Sequence, residues 1–141
     1  MKRALASLLV LVLAGCGGGG SRENYVDDAT AICVQMTQRI KDLGVPESFT
    51  DTQLYARRAK DAVGDGIRDL REVDPPPEYE EGYERYLDTL EARRRQLDLL
   101  TQAADENSMA AIQEAGSELD VLNAKGRQDA RRAGIGGCED G

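Results

Sequence analysis

Residues 51–77 read DTQLYARRAKDAVGDGIRDLREVDPPP, and this stretch decides the fold. Its apolar and small residues recur at steps of three and four, the spacing of one helix face: Tyr55, Ala59, Ala62, Val63, Gly66, Leu70 and Val73. Thr50 and Gln53 fit a capping box at the start of a helix over 51–73. Pro75 and its two successors forbid continuation, because proline lacks an amide donor and clashes with the preceding turn.

Three further stretches show the same periodicity, over about 25–43, 78–104 and 108–133. Asn24 is the predicted cap of the first helix, and either Asn107 or Ser108 caps the last. Gly44 and Gly134 follow the first and last helices, as helix-ending glycines do. Short connections make consecutive helices antiparallel, so residues 24–141 are predicted to form an all-α, up-down-up-down four-helix bundle.

The amino terminus has the form of an export signal. Met1-Lys2-Arg3 is basic, and the apolar run 4–14 is too short to span a bilayer, which takes about 20 residues. Leu13-Ala14-Gly15-Cys16 resembles the lipobox of bacterial lipoproteins. That resemblance implies removal of residues 1–15, lipidation of Cys16, a glycine-rich tether over 16–23, and anchoring on the extracytoplasmic face of the cell membrane. An ordinary secretory signal with an incidental Cys16, or a buried apolar helix, is the alternative.

Cysteine number adds a constraint on the exported domain. An odd thiol is a liability outside the cell, and lipidation of Cys16 would leave Cys33 and Cys138 as a pair. The prediction is one disulfide joining the first helix to the carboxyl terminus. Two separate buried thiols are the alternative.

Several short motifs are similar to those of small exported helical proteins of actinobacteria. They are Ala31-Ile32-Cys33, Pro75-Pro76, Tyr79 with Tyr86-Leu87, and Gly134-Ile135 before Cys138. This resemblance covers most of the predicted domain. It implies the helical fold and the cysteine pair, and it implies no activity.

Composition excludes several functions. The net charge of −8 argues against a nucleic-acid partner, which needs a basic surface. The absence of histidine excludes histidine-based catalysis and most zinc or haem sites, so neither enzyme activity nor a cofactor is expected. The stretch Asp61–Glu72 nearly matches a calcium-binding loop, but Val63 stands where an oxygen ligand is required, so no metal is expected there.

Two groups of residues remain as candidate binding features. Tyr79, Tyr83 and Tyr86 could line a small-molecule site between the helices, although core packing is the favoured interpretation. Arg93-Arg94-Arg95 and the cluster of Lys125, Arg127, Arg131 and Arg132 are interpreted as solvated faces rather than docking patches. The function expected is a protein-binding or adaptor module that contacts an envelope protein. A small-molecule carrier or sensor is the alternative.

Overall fold

A computed structural model describes residues 21–139 of the chain. The elements are α1 (Arg22–Lys41), α2 (Phe49–Leu70), α3 (Glu80–Asp105), α4 (Met109–Arg132) and a 3₁₀ turn, η1 (Gly136–Cys138). The regular structure of this described part is entirely helical. It confirms the predicted all-α, antiparallel four-helix bundle stapled by one disulfide.

Packing follows chain order around three sides of the bundle. Helix α1 packs on α2, α2 on α3, and α3 on α4. On the fourth side η1 contacts both α1 and α4 and closes the bundle between them. The carboxyl-terminal turn is therefore part of the domain's architecture.

The disulfide between Cys33 and Cys138 secures this closure and confirms the predicted pair. Their Cα atoms are 5.1 Å apart across a sequence separation of 105 residues, and both residues are buried. A Cβ atom added at Gly137 would overlap the side chain of Thr30 on α1. Glycine at this position thus lets η1 lie close enough to α1 for the bridge to form.

Three predicted helix starts are wrong by two or three residues. Ser21, not Asn24, caps α1, because its Oγ accepts a hydrogen bond from the Asn24 amide (3.3 Å). Arg22 and Glu23, predicted as tether, are therefore helical. Ser48 rather than Thr50 caps α2, with its Oγ accepting from the Asp51 amide at 3.1 Å.

The start of α3 lies later than expected from the prolines. A turn in which the Tyr79 amide donates to the Pro76 carbonyl (2.9 Å) separates the prolines from the helix, which begins at Glu80. Ser108 caps α4, which confirms one of the two predicted caps. Capping depends on backbone direction, so neighbouring Ser, Thr and Asn residues are hard to tell apart by sequence.

Two helix ends form the same six-residue closure. After α4, Gly134 has a φ of +70°, and the Ile135 amide donates to the Ala130 carbonyl (3.0 Å). After α3, Asn107 has a φ of +51°, and the Ser108 amide donates to Ala103 (3.0 Å). This arrangement satisfies carbonyls that a helix end leaves free, and glycine or asparagine best tolerates the left-handed conformation.

The core contains most of the predicted apolar positions. Its fully buried large side chains include Tyr25, Met36, Leu70, Tyr86 and Leu90. Three polar residues are also buried: Thr89, Arg93 and Asp129. These three were not predicted to be core residues, and they bear on function below.

Helix α1 is too short to match α3, to which it runs parallel. The two helices are aligned by the contact between Cys33 and Tyr86. Lys41 ends α1 eight residues after Cys33, whereas Asp105 ends α3 nineteen residues after Tyr86. At 1.5 Å per residue the mismatch is about 16 Å. Beyond the end of α1 the bundle therefore consists of three helices and the α1–α2 connection.

Candidate functional site

An apolar cavity of about 550 Å³ lies at the end of the bundle where α1 is missing. We call it the distal cavity, because it lies at the opposite end of the bundle from Ser21. It is lined by Pro46, Glu47, Ser48, Phe49, Thr52, Tyr55, Leu100, Met109, Ile112 and Gly116. Its volume is within the range of about 300–1,000 Å³ that is typical of small-molecule sites.

The cavity results from the shortness of α1 and from a small residue on α4. The connection between α1 and α2 crosses the gap as an irregular segment and contributes Pro46 and Glu47 to the wall. Gly116 on α4 is not a position of close helix approach. A Cβ atom there would have no other atom within 4 Å, so Gly116 faces open space at the cavity.

Exposed hydrophobic side chains lie at the distal cavity and in the depression next to it. Val45 is 89 % exposed, Met109 is 56 % exposed and Leu54 is 47 % exposed. Val45 and Leu54 also line a second, more polar depression that shares Pro46, Glu47 and Tyr55 with the cavity. Single exposed apolar residues are common, but a group of them beside an apolar cavity is a feature of binding surfaces.

The predicted tyrosine cluster lies at the other end of the bundle and is packed into the core. Tyr83 and Tyr86 are buried, and Tyr79 is half-buried with its ring stacked on Tyr25. The Tyr83 hydroxyl donates to the Leu70 carbonyl at 2.7 Å. None of the three tyrosines lines the distal cavity.

The hydroxyl of Tyr86 contacts the disulfide. It lies 3.4 Å from Cys33 Sγ, and it must be the donor because a disulfide sulfur carries no proton. Burial raises the pKa of Tyr86 to about 12 and raises the pKa of Tyr83 further. Of the two interpretations of this cluster, a ligand site or core packing, the geometry therefore favours core packing.

Arg93 contradicts the predicted solvated face of three arginines. It is only 8 % exposed, and it occupies the core stripe of α3 between Leu90 and Leu97. Its Nε has no hydrogen-bond partner, and no carboxylate of the described residues lies within 4.0 Å of its guanidinium. Burial lowers the pKa of Arg93.

Arg94, the next residue along α3, agrees with the predicted solvated face. Arg94 lies 3.8 Å from Glu91, which also pairs with Arg71 at 3.0 Å. Exposed pairs of this kind contribute about 0–1 kcal/mol each, so they do not determine the fold.

The basic cluster near the end of α4 is largely neutralised by acidic side chains. The side chain of Asp129 is 2 % exposed, and it accepts hydrogen bonds from Lys125 and from Thr89 Oγ1 (2.8 Å). Arg131 pairs with Glu139 at 2.7 Å. Burial alone would raise the pKa of Asp129, but these hydrogen bonds and the charges of Lys125 and Arg132 lower it.

The stretch resembling a calcium loop is helical as far as Leu70, within α2. Asp65 of that stretch pairs with Arg39 (2.8 Å) and Arg68 (3.0 Å). Within residues 21–139 no group of three or more potential metal-ligating side chains was found. In the same range, no helix combines the length and apolar character needed to cross a membrane.

Cys16, the lipobox and most of the predicted tether lie outside the described residues. Comparison with models of known protein families, with curated proteins and with solved structures found no significant match to this chain. The functional argument therefore depends on the geometry of the bundle and on the sequence.

The distal cavity was missed at the level of sequence, although a signal was present. The predicted first helix, ended by Gly44 and Pro46, is shorter than the other three. In a bundle, a short helix leaves a gap that the other helices do not fill. Arg93 could have been found by continuing the three-and-four spacing of α3 through Leu90 and Leu97.

Proposed function

We propose that this protein is a lipid-anchored binding module of the extracytoplasmic membrane face that takes up an apolar small molecule in its distal cavity. The observation that carries the proposal is the cavity itself, about 550 Å³ in volume and lined almost entirely by apolar groups. This is the carrier or sensor function, the alternative at the level of sequence. The bundle supplies a stapled scaffold for the site, and the proposal includes no enzymatic step.

The proposed lipid anchor determines how the cavity is oriented relative to the membrane. Helix α1 begins at Arg22, directly after Ser21, and its 20 residues extend about 30 Å toward the distal end. If Cys16 is lipidated as proposed, the membrane lies next to the end of the bundle that contains Ser21. The distal cavity, at the opposite end, then opens away from the bilayer. A ligand would then enter from the extracytoplasmic space.

Binding is tested by filling the cavity from Gly116. The neutral apolar dye Nile red, which fluoresces more strongly in apolar surroundings, is titrated into the oxidised full chain carrying Cys16→Ser. Gly116→Leu places a side chain in the open space and is expected to abolish the fluorescence increase. Ser117→Leu adds the same side chain at an exposed position and is expected to bind like the parent. Equal binding by both variants would locate the dye elsewhere and overturn the proposed site.

Anchoring is tested separately in cells. Replacement of Cys16 by alanine removes the acceptor thiol, so the protein is expected to leave the membrane fraction. Full retention of Cys16→Ala in that fraction would contradict lipid anchoring, whatever the result of the dye experiment.

The adaptor function is a second candidate, and the exposed side chains of Val45, Leu54 and Met109 favour it. An apolar segment of an envelope protein would cover these residues. Cross-linking of the tagged protein in cells, followed by mass spectrometry, is expected to recover one enriched partner if this function is correct. Leu54→Asp should then abolish recovery, whereas Val34→Asp, at an exposed apolar residue on α1, should not.

A further inference from the structure

Arg93 is a buried cation without a charged partner among residues 21–139. It is 8 % exposed, its Nε is unbonded, and the ion pairs of this part of the chain involve other residues. By contrast, the other buried charge, Asp129, has Lys125 and Arg132 beside it. Among residues 21–139 the buried carboxylate is therefore paired, whereas Arg93 has no ion pair and its Nε is a buried nitrogen without a partner.

Burial of an unpaired charge is costly, and arginine cannot escape that cost by losing its proton. The guanidinium remains protonated in proteins, even where burial lowers its pKa. Buried charges are normally paired, and the preferred partner of arginine is a carboxylate or phosphate. Arg93 accordingly has the character of a receptor for an anion.

Arg93 does not line the distal cavity, but it lies on the face of α3 that carries a cavity residue. Leu100, which lines the cavity, is seven residues further along α3, or about 10 Å along the axis. The electrostatic neighbours of the guanidinium are the phenols of Tyr86 and Tyr55. Tyr55 also lines the cavity, so it is the residue of the cavity wall that lies within electrostatic range of the guanidinium.

The amino-terminal apolar run is not the proposed occupant of the cavity, because the proposed lipidation of Cys16 entails removal of residues 1–15. Cys16 and the four glycines that would remain before Ser21 carry no large apolar side chain and extend at most about 18 Å. Helix α1 alone spans about 30 Å from Ser21, and the cavity lies beyond its end. The proposed occupant is therefore a separate molecule.

We propose that the distal cavity binds a single-chain amphiphile with an anionic head, such as a fatty-acid carboxylate, and that Arg93 receives the head. The apolar tail lies between Leu100 and Ile112 and extends toward the mouth, where Met109 and Val45 are exposed. The head enters past Tyr55, so this inference requires a movement of that side chain. It rests on the proposed function and specifies the ligand class of the same site.

The test compares three probes with the same tail and different heads: dodecanoate, dodecanol and dodecylammonium. Their affinities for the oxidised full chain carrying Cys16→Ser are measured by calorimetry below the micelle-forming concentration. Dodecanoate is expected to bind about ten-fold or more tightly than dodecanol, because a hydrogen bond to a charged group contributes about that much. Dodecylammonium should bind weakly, since its head would meet a like charge.

Arg93→Met is expected to remove the preference for dodecanoate, so that dodecanoate and dodecanol bind with similar affinity. Arg93→Lys keeps the charge and should retain much of the preference, which guards against a purely structural effect. Equal affinity of the parent for dodecanoate and dodecanol, or tighter binding of dodecylammonium, would overturn the role of Arg93 and leave the proposed cavity function intact. Failure of all three probes to bind would instead count against both.

Discussion

Asp129 and Arg93 both lie on inward faces of their helices, and they illustrate different uses of a buried charge. Asp129 accepts hydrogen bonds from Lys125 and Thr89 and so joins α3 to α4. Arg93 has no comparable partner in the described part of the chain, although it lies in the same bundle. A satisfied buried charge supports the fold, whereas an unsatisfied one costs stability.

Asp129→Asn is expected to lower the free energy of unfolding at pH 7 by about 1–3 kcal/mol, because it weakens a buried charged hydrogen-bond group. The pKa of Asp129 is lower in the folded state, so its contribution is complete above the unfolded value of about 3.9. It is lost as the pH falls through the folded value. Urea unfolding at a series of pH values should therefore show a smaller loss of stability in acid for the variant.

Asp65→Asn is the matched control for that experiment. The pKa of Asp65 is also lowered, first by its hydrogen bond with Arg39, but its side chain is 39 % exposed. Its effect on stability should be smaller and should diminish with added salt. Identical acid dependence in the parent and Asp129→Asn would show that the network around Asp129 does not contribute.

At the scale of the helices, glycines have two different functions that their spacing in the sequence does not distinguish. At Gly82 an added Cβ would lie 2.7 Å from backbone atoms of Arg132 and Ala133, so α3 and α4 approach closely there. At Gly116 an added Cβ would contact nothing within 4 Å. One glycine permits helix packing, and the other leaves space.

Gly82→Ala and Gly116→Ala should therefore change stability in opposite directions. Alanine at 82 forces α4 away and is expected to cost about 1–3 kcal/mol. Alanine at 116 improves helix propensity without a clash and is expected to stabilise by up to about 1 kcal/mol. Urea denaturation of both variants checks this pair. A stabilised Gly82→Ala protein would contradict the close packing of α3 and α4.

At the scale of the whole molecule, the disulfide and η1 close the side of the bundle between α1 and α4. The bridge joins residues 105 apart, so it strongly restricts the unfolded chain. In the chain-entropy account, a loop of this length contributes about 4–5 kcal/mol. The distal cavity lies at the other end of the bundle, where the bridge does not reach.

Reduction of the disulfide is therefore expected to lower the melting temperature. The expected loss in the free energy of unfolding is about 4–5 kcal/mol. The double variant Cys33→Ala/Cys138→Ala should behave like the reduced protein and should not respond to reductant. Circular dichroism with and without reductant measures both. An unchanged melting temperature on reduction would show that the bridge does not stabilise the domain.

Much of the fold could be predicted because local patterns and global packing agree. The apolar stripes of α1 and α2 located the helices, and the proline run separated α2 from α3. The pairing of Cys33 with Cys138 followed from cysteine number, and the structure confirms it. Exact caps were less predictable, since Ser21 and Ser48 compete with nearby residues of similar chemistry.

The sequence indicated a possible ligand site at the tyrosine cluster, and it did not indicate the distal cavity. Tyrosine spacing indicated a possible ligand site at Tyr79, Tyr83 and Tyr86, but two of these rings are buried core groups. The cavity arises instead from residues on α2, α3, α4 and the α1–α2 connection. No single stretch of sequence contains it, so no local pattern could reveal it.

The sequence by itself determined the helices, their order and the cysteine pair, because helical periodicity, proline and glycine act over a few residues. Only the tertiary structure decided which charges are buried and where space remains. Burial of Arg93 and the opening beside Gly116 depend on how far each helix extends past its neighbours. That relation is set by packing between distant segments, which a linear pattern does not encode.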